Sequence, residues 1–258
     1  MSFQPDSLQV DDVRAAVNFG ERKDVDGPDI LLLHYTGMNS ATAALDWLCC
    51  EESGVSCHYF VEEDGRTLQL VPENKRAHHA GAGSWDGRVD VNSRSIGIEI
   101  VNGGHPGGLP DFPREQMAAV ARLSKDIIAR HGIVPQRVLA HSDIAPGRKE
   151  DPGEKFDWGW LASQGVGHWV EPSPIRSGRF FQQGDEGVPV KALQLMMMQY
   201  GYEVPFDGAF EDRTRIVVEA FQRHFRQEKV DGVADVSTIE TLHRLLKPIL
   251  ENNADLTI

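Results

Sequence analysis

The chain has only three cysteines, Cys49, Cys50 and Cys57, clustered together, odd in number and without CxxC spacing. So short a supply excludes a disulfide-dense scaffold. The three are expected to be reduced and structural; a vicinal or 50–57 disulfide, or a thiolate zinc site, are the other readings. No stretch approaches the roughly 18 apolar residues that cross a bilayer, so no membrane span is expected. Residues 1–27 have no positively charged segment followed by an apolar run, hence neither a signal peptide nor an anchor is expected. On its face this reads as cytoplasmic; the alternative is the periplasm or cell envelope with a signal removed. Positive charge is scarce: 26 Lys and Arg stand against 39 Asp and Glu, a net charge of −13. Such a chain is not drawn to a phosphate backbone or an anionic membrane, which argues against nucleic acid as a partner.

What is present is an ordinary globular composition, 40% hydrophobic and 25% charged, over 258 residues. That length accommodates one large domain, or a middling domain plus a small one. The run from Asp29 to Gly37, DILLLHYTG, reads as a buried strand that delivers His34 to its C-terminal end. A helix over Ala41–Leu48, capped by Ser40, is expected next. Ser56–Glu62 and Thr67–Val71 read as strands joined by an Asp64-Gly65 hairpin turn. Ser95–Asn102 is a further strand carrying Glu99, a carboxylate that is costly there without a task or a partner. A helix starts after Pro113, with Met117, Val120, Leu123 and Ile127 on one face and a left-handed cap at Gly132. Gln136–Ala140 is another strand, and it too ends on a histidine, His141.

The text changes over residues 171–183, rich in proline and polar residues and without periodicity, which marks a linker between domains at 1–170 and 184–258. In the second, Asp207-Gly208 followed by Thr214 is echoed by Asp231-Gly232 followed by Thr238, with the same offset of seven. This is an internal duplication of a turn entering a helix, and three helices fit, at about 187–200, 212–226 and 236–247. An EF-hand reading of these turns fails, since the alternating ligands and the terminal Glu are missing.

The segment 141–153, HSDIAPGRKEDPG, places His141 and Asp151 ten positions apart on what its proline and glycines suggest is a stiff, non-helical loop. With His34 this supplies two imidazoles and a carboxylate. A catalytic zinc takes three protein ligands and leaves a fourth position open, whereas structural zinc is closed by four, usually with thiolates. Such a site can generate a nucleophile at neutral pH, and amide hydrolysis then wants a proton shuttle beside the metal and a cation near the oxyanion. Glu99 and Lys149 are the candidates. Spacing alone leaves other readings open: hydrogen-bonded structural histidines, Glu99 as a buried partner for an arginine such as Arg94, and Lys149 as a solvated loop charge.

At these residues the sequence resembles the type 2 N-acetylmuramoyl-L-alanine amidases, a zinc family related to T7-type lysozyme and the peptidoglycan recognition proteins. The matching text is LLLHYTG at 31–37, GVSCHYFVEEDG at 54–65, HAG at 79–81, SIGIEIVNGG at 95–104 and AHSDIAPGRKEDPG at 140–153. It covers roughly residues 25 to 165. His78 stands where many relatives have Trp, and Cys57 where a small residue is usual. Residues 184–247 resemble a three-helix peptidoglycan-binding module.

The resemblance implies an α/β catalytic domain with a mixed central sheet flanked by helices, followed by a small all-α three-helix domain. It implies one catalytic zinc on His34, His141 and Asp151, acid/base catalysis by Glu99 and transition-state stabilisation by Lys149. His79, His58 and Arg148 are taken as substrate-binding, with His79 and His58 reading equally as residues behind the ligands. The implied reaction cuts the amide between N-acetylmuramic acid, or its anhydro form, and L-alanine of the stem peptide. The implied partners are peptidoglycan or muropeptides, with no obligate protein partner. The alternative is a noncatalytic muropeptide recognition protein on the same fold.

Overall fold

In the computed structural model, which describes residues 3–255, the chain opens with two short strands that the sequence pattern did not signal, Asp12–Val13 (β1) and Phe19–Glu21 (β2). The ends of the expected domain ranges, residues 1–2 and 256–258, lie outside the described residues. The central strand Ile30–Tyr35 (β3) follows, buried along its whole length except at Tyr35. Helix Ala41–Cys49 (α1) begins at Ser40, whose side chain accepts a hydrogen bond from the Ala43 amide, a cap worth about 1 kcal/mol. Tyr59–Val61 (β4) and Thr67–Gln69 (β5) pair antiparallel across the Asp64-Gly65 turn. Lys75–Ala77 (β6) pairs with β2 in a separate two-stranded sheet. One helical turn at Val91–Arg94 (α2) leads into Ser95–Ile100 (β7). Helix Arg114–His131 (α3) ends where Gly132, at φ 64°, returns its N–H to the Ile128 carbonyl. Val138–Ala140 (β8) runs directly into a second single turn, His141–Ile144 (α4), and Trp158–Ser163 (α5) follows. The segment after β8 is therefore helical at its start, not a helix-free loop, because Asp143 accepts the Ala140 amide and closes the turn.

The main sheet is mixed, in the order β1-β5-β4-β7-β3-β8, with β4, β7, β3 and β8 parallel. Its two faces are separated by the strand alternation. Leu31, Leu33, Ile96, Ile98 and Ile100 face α3 and its stripe Met117, Val120, Leu123 and Ile127. Ile30 and Leu32 face the other way, so His34, two further along, lies on that second face at the C-terminal edge. α1 covers the β4–β5 half of it, with Ala44, Leu45 and Leu48 over Phe60 and Leu68.

The β3–β8 half of the same face is covered by the C-terminal helices Val188–Tyr200 (α6), Asp212–Phe225 (α7) and Val236–Asp255 (α8). Ile30, Leu32, Trp85, Leu139 and Ile144 share one apolar cluster with Val190, Met197, Tyr202, Val217 and Phe221. The linker residues lie along α8, where the Ser237 hydroxyl donates to the Ser173 carbonyl and Arg244 to that of Glu171. The duplicated turns are built alike. Buried Gln194 accepts the Gly208 amide and donates toward Asp207, the Ala209 carbonyl and Thr214. Buried Gln222 does the same for Gly232, Asp231, the Val233 carbonyl and Thr238. No described helix is long and apolar enough to cross a membrane.

Candidate metal centre

Parallel pairing puts His34 of β3 directly beside Glu99 of β7, and Leu33 beside Ala140 of β8, the residue before His141. Paired residues in a sheet point to the same face. Three neighbouring strand ends thus present His34, Glu99 and His141 in one row, at the carboxyl edge where α/β sheets collect their sites. Asp151 is brought in by the loop after α4, whose return is fixed by a bond from the Ser142 amide to the Asp151 carbonyl at 3.1 Å.

Nδ1 of His34 and Nδ1 of His141 are 2.9 Å apart, and each is 3.0 Å from Oδ2 of Asp151. All three side chains are buried. The outer nitrogens decide which protons the rings carry. Nε2 of His141 donates to the Ala80 carbonyl at 2.9 Å, the tautomer in which Nδ1 presents an electron pair. The Ser95 hydroxyl donates to the Val91 carbonyl, so it accepts from Nε2 of His79. Nδ1 of His79 is then free to accept from Nε2 of His34 at 2.9 Å. His34 too turns an electron pair inward. Two imidazole pairs and a carboxylate oxygen converging within hydrogen-bond distance, with no proton between the rings, form a donor set that fits a divalent cation.

The shifts of His34, His79, Asp151 and Glu99 follow from burial and mutual charge. Burial, reinforced by His141, holds the His34 imidazolium down to about 4. Burial, then His34 and His58, keeps His79 well below the ordinary histidine value. Burial alone would raise Asp151, but His141 and His34 pull it well below the carboxylate range. Glu99 goes the other way: burial and the Asp151 charge lift it well above that range, against an opposing pull from Lys149. Its Oε2 is shielded and without a hydrogen-bond partner. Arg94 does not neutralise it, since that guanidinium holds Asp29 and the Trp85 carbonyl.

The row opens into a cavity of about 360 Å³ lined on one side by Glu99, His141, Lys149 and Asp151, with His78 and His79. Met38, Ala44, Trp47, Leu48 and Val55 supply its apolar lining. Trp47 is 49% exposed at the mouth. Tyr35 also lines the cavity, its hydroxyl bonded to His105 at 3.0 Å and its ionisation pushed up to about 12 by burial. Trp47 and Tyr35 escaped the sequence reading, although an exposed Trp on an amphipathic helix is the signal that could have flagged the first.

Two expected substrate contacts are elsewhere. His58 is fully buried behind the sheet edge, where Nδ1 accepts the Gly97 amide and Nε2 faces the Lys75 carbonyl. Arg148 points away from the cavity, clamping the Ala80 and Ala82 carbonyls at 2.7 and 2.5 Å. His79 borders the cavity, but both its nitrogens are engaged with His34 and Ser95. Asn92 holds the HAG turn from below by accepting the His79 and Ala80 amides. The three cysteines are free thiols.

The family model described as N-acetylmuramoyl-L-alanine amidase matches residues 24–154. A putative peptidoglycan binding domain model matches residues 186–242. Similar proteins include the N-acetylmuramoyl-L-alanine amidase AmiD of Escherichia coli K12, 36% identical over 232 residues, 84% of this chain and 82% of that protein. Another is the 1,6-anhydro-N-acetylmuramyl-L-alanine amidase AmpD of Citrobacter freundii, 32% identical over 53% of this chain and 80% of that one. Among solved structures, E. coli AmiD in complex with the substrate anhydro-N-acetylmuramic acid-L-Ala-D-gamma-Glu-L-Lys is similar, with TM-score 0.72, 34% identity and coverage of 90% and 98%. Pseudomonas aeruginosa AmpDh3 in complex with anhydromuramic pentapeptide is similar at TM-score 0.71 and 29% identity, covering 96% and 99%.

Proposed function

The chain belongs to the N-acetylmuramoyl-L-alanine amidase family, and from that premise we propose that it hydrolyses the muramyl–L-alanine amide with one zinc ion held by His34, His141 and Asp151. What supports the metal is the donor set itself: three inward-facing ligand atoms about 3 Å apart. When bound, zinc would act as a Lewis acid and bring the pKa of a coordinated water toward about 7.

Glu99 is the proton carrier. Its unpartnered Oε2 takes the proton that water releases on attacking the amide carbonyl and returns it to the alanine nitrogen as that nitrogen leaves. A carboxylate lifted above its ordinary range suits a group that must both accept and give. Lys149, on the same rim, offers its ammonium to the negative charge that grows on the carbonyl oxygen. His79 and Ser95 orient His34, and the Ala80 carbonyl orients His141.

The substrates are peptidoglycan fragments, with the anhydro-muramyl form among them, because two similar solved structures hold anhydro-muropeptides. The module at 186–242 extends this toward the wall polymer. The exposed Trp47 wall suits the apolar face of a sugar ring and the polar rim the stem peptide. A noncatalytic muropeptide receptor would have no use for an unpartnered carboxylate oxygen beside three converged donors. Mass spectrometry of products from intact sacculi and from soluble anhydro-muropeptides tests the proposal: free stem peptides beginning with L-alanine are expected, and release of any other fragment, or of none, would sink it.

A further inference from the structure

Asp143 lies two residues past His141, outside the cavity, and its carboxylate has no solvent exposure. One donor comes from its own domain, the Ala140 amide on Oδ2 at 2.8 Å, the bond that closes the turn aiming His141. The other two come from the C-terminal module. The Tyr202 hydroxyl donates to Oδ1 at 2.6 Å, and Nδ1 of His224 donates to Oδ2 at 2.6 Å. Both donors are held by stacking: the His224 ring lies between Trp158 at 3.7 Å and Phe225 at 3.8 Å, and Tyr202 packs on Trp85 at 5.0 Å.

The grip of the module continues along the loop. Arg223 donates to Glu150 at 3.1 Å, and Gln227 donates to the Glu154 and Phe156 carbonyls at 2.8 Å each. Ile216 sits against Gly147, where even a Cβ would come within 2.8 Å of it. Lys149 and Asp151 lie between these anchors, and His141 lies two residues before the first of them. The segment that supplies two of the three converging ligand atoms is therefore held from outside by α7, by Gln227 just after it and by Tyr202 just after α6.

We infer that the C-terminal module is a splint for the metal loop, with Tyr202 and His224 as positioning residues that act through Asp143 to hold His141 toward His34 and Asp151. This rests on the zinc reading above and adds a role that carbohydrate binding by the module does not require. A buried carboxylate that loses donors loses the bonds that compensate its desolvation, and the turn it closes is then free to reorient. Outer partners of metal ligands typically carry about 10- to 100-fold in metal affinity.

The test uses the full chain, stripped of metal and titrated with zinc against a chromophoric chelator, and with cobalt to record the visible ligand-field bands. Tyr202→Phe and His224→Phe keep the rings and remove one donor each. Each is expected to weaken zinc binding about 10-fold, the pair more, and to shift the cobalt bands, with binding to sacculi unchanged. His224→Asn, which keeps a donor near the Nδ1 position, is expected to restore most of the loss. Should the double variant fail to fold, Tyr202→Phe, which loses a single oxygen, still decides. Wild-type protein that takes up neither metal overturns the zinc reading; wild-type uptake with unchanged affinity and cobalt bands in Tyr202→Phe and the His224 variants overturns the splint alone.

Discussion

A Cβ on Gly97 would lie 2.4 Å from Nδ1 of His79. The bare backbone in β7 is what admits the His79 ring beside the strand, and that ring is the acceptor that turns Nδ1 of His34 toward His141 and Asp151.

Gly97→Ala is therefore expected to cost about 1–3 kcal/mol by overpacking and, separately, to weaken metal retention. Urea denaturation with and without zinc distinguishes the two. Equal stabilisation by zinc in variant and wild type would detach His79 from the metal site.

Glu99→Gln keeps all three candidate ligand atoms and removes the carboxylate proposed above as proton carrier. Metal content by mass spectrometry should match wild type, while turnover falls by at least about 100-fold. Activity near that of wild type would remove Glu99 from the mechanism.

Chelation followed by dialysis should abolish hydrolysis, and stoichiometric zinc should restore it. An enzyme indifferent to the chelator does not work through His34, His141 and Asp151.

Acid should weaken the fold through His58. Burial first, then Arg22, lowers its imidazolium from 6.5 to about 3. Between those values the unfolded chain binds a proton that the folded chain refuses, so stability is full above about 6.5 and falls as the pH drops through the window. Glu73 extends the fall: burial would raise it, but His131, Arg130 and Tyr59 bring it from 4.5 to about 2, so its contribution is present above 4.5 and lost below. Together the effects amount to several kcal/mol, since a tenfold change in proton affinity is worth about 1.4 kcal/mol. Urea midpoints from neutral pH to pH 4 should decline less steeply in His58→Gln; an identical slope would place the proton uptake elsewhere.

Truncation near Glu171 uncovers Ile30, Leu32, Trp85, Leu139 and Ile144, which the C-terminal helices now bury. The shortened chain is expected to be insoluble or to melt well below the full protein, measured by soluble yield and thermal scan, instead of behaving as a catalytic domain that has merely lost wall affinity. A soluble fragment with wild-type melting would show the cluster to be dispensable.

Much of this was legible because strand periodicity and turn chemistry are local. The apolar run before His34, the Ser40 cap, the Asp64-Gly65 hairpin and the Gly132 stop all form where side-chain pattern and backbone permission coincide within a few residues. Three short strands without an apolar run were not legible: β1, β2 and β6 are two, three and three residues long and exist because a partner strand completes their hydrogen bonds. α4 was hidden for a related reason, since one turn held by Asp143 leaves no helical period to detect.

By itself the sequence offered the residue types of the candidate site, two imidazoles, a carboxylate, Glu99 and Lys149, because a catalytic metal site draws on such groups and the family resemblance picks out their positions. Only the tertiary structure decided their company. Sheet register set His34 beside Glu99, and chain folding brought His79 behind His34, turned His58 and Arg148 away, and laid Tyr202 and His224 on Asp143. Those relationships join residues up to 81 positions apart, and they depend on packing and burial, which no local pattern records.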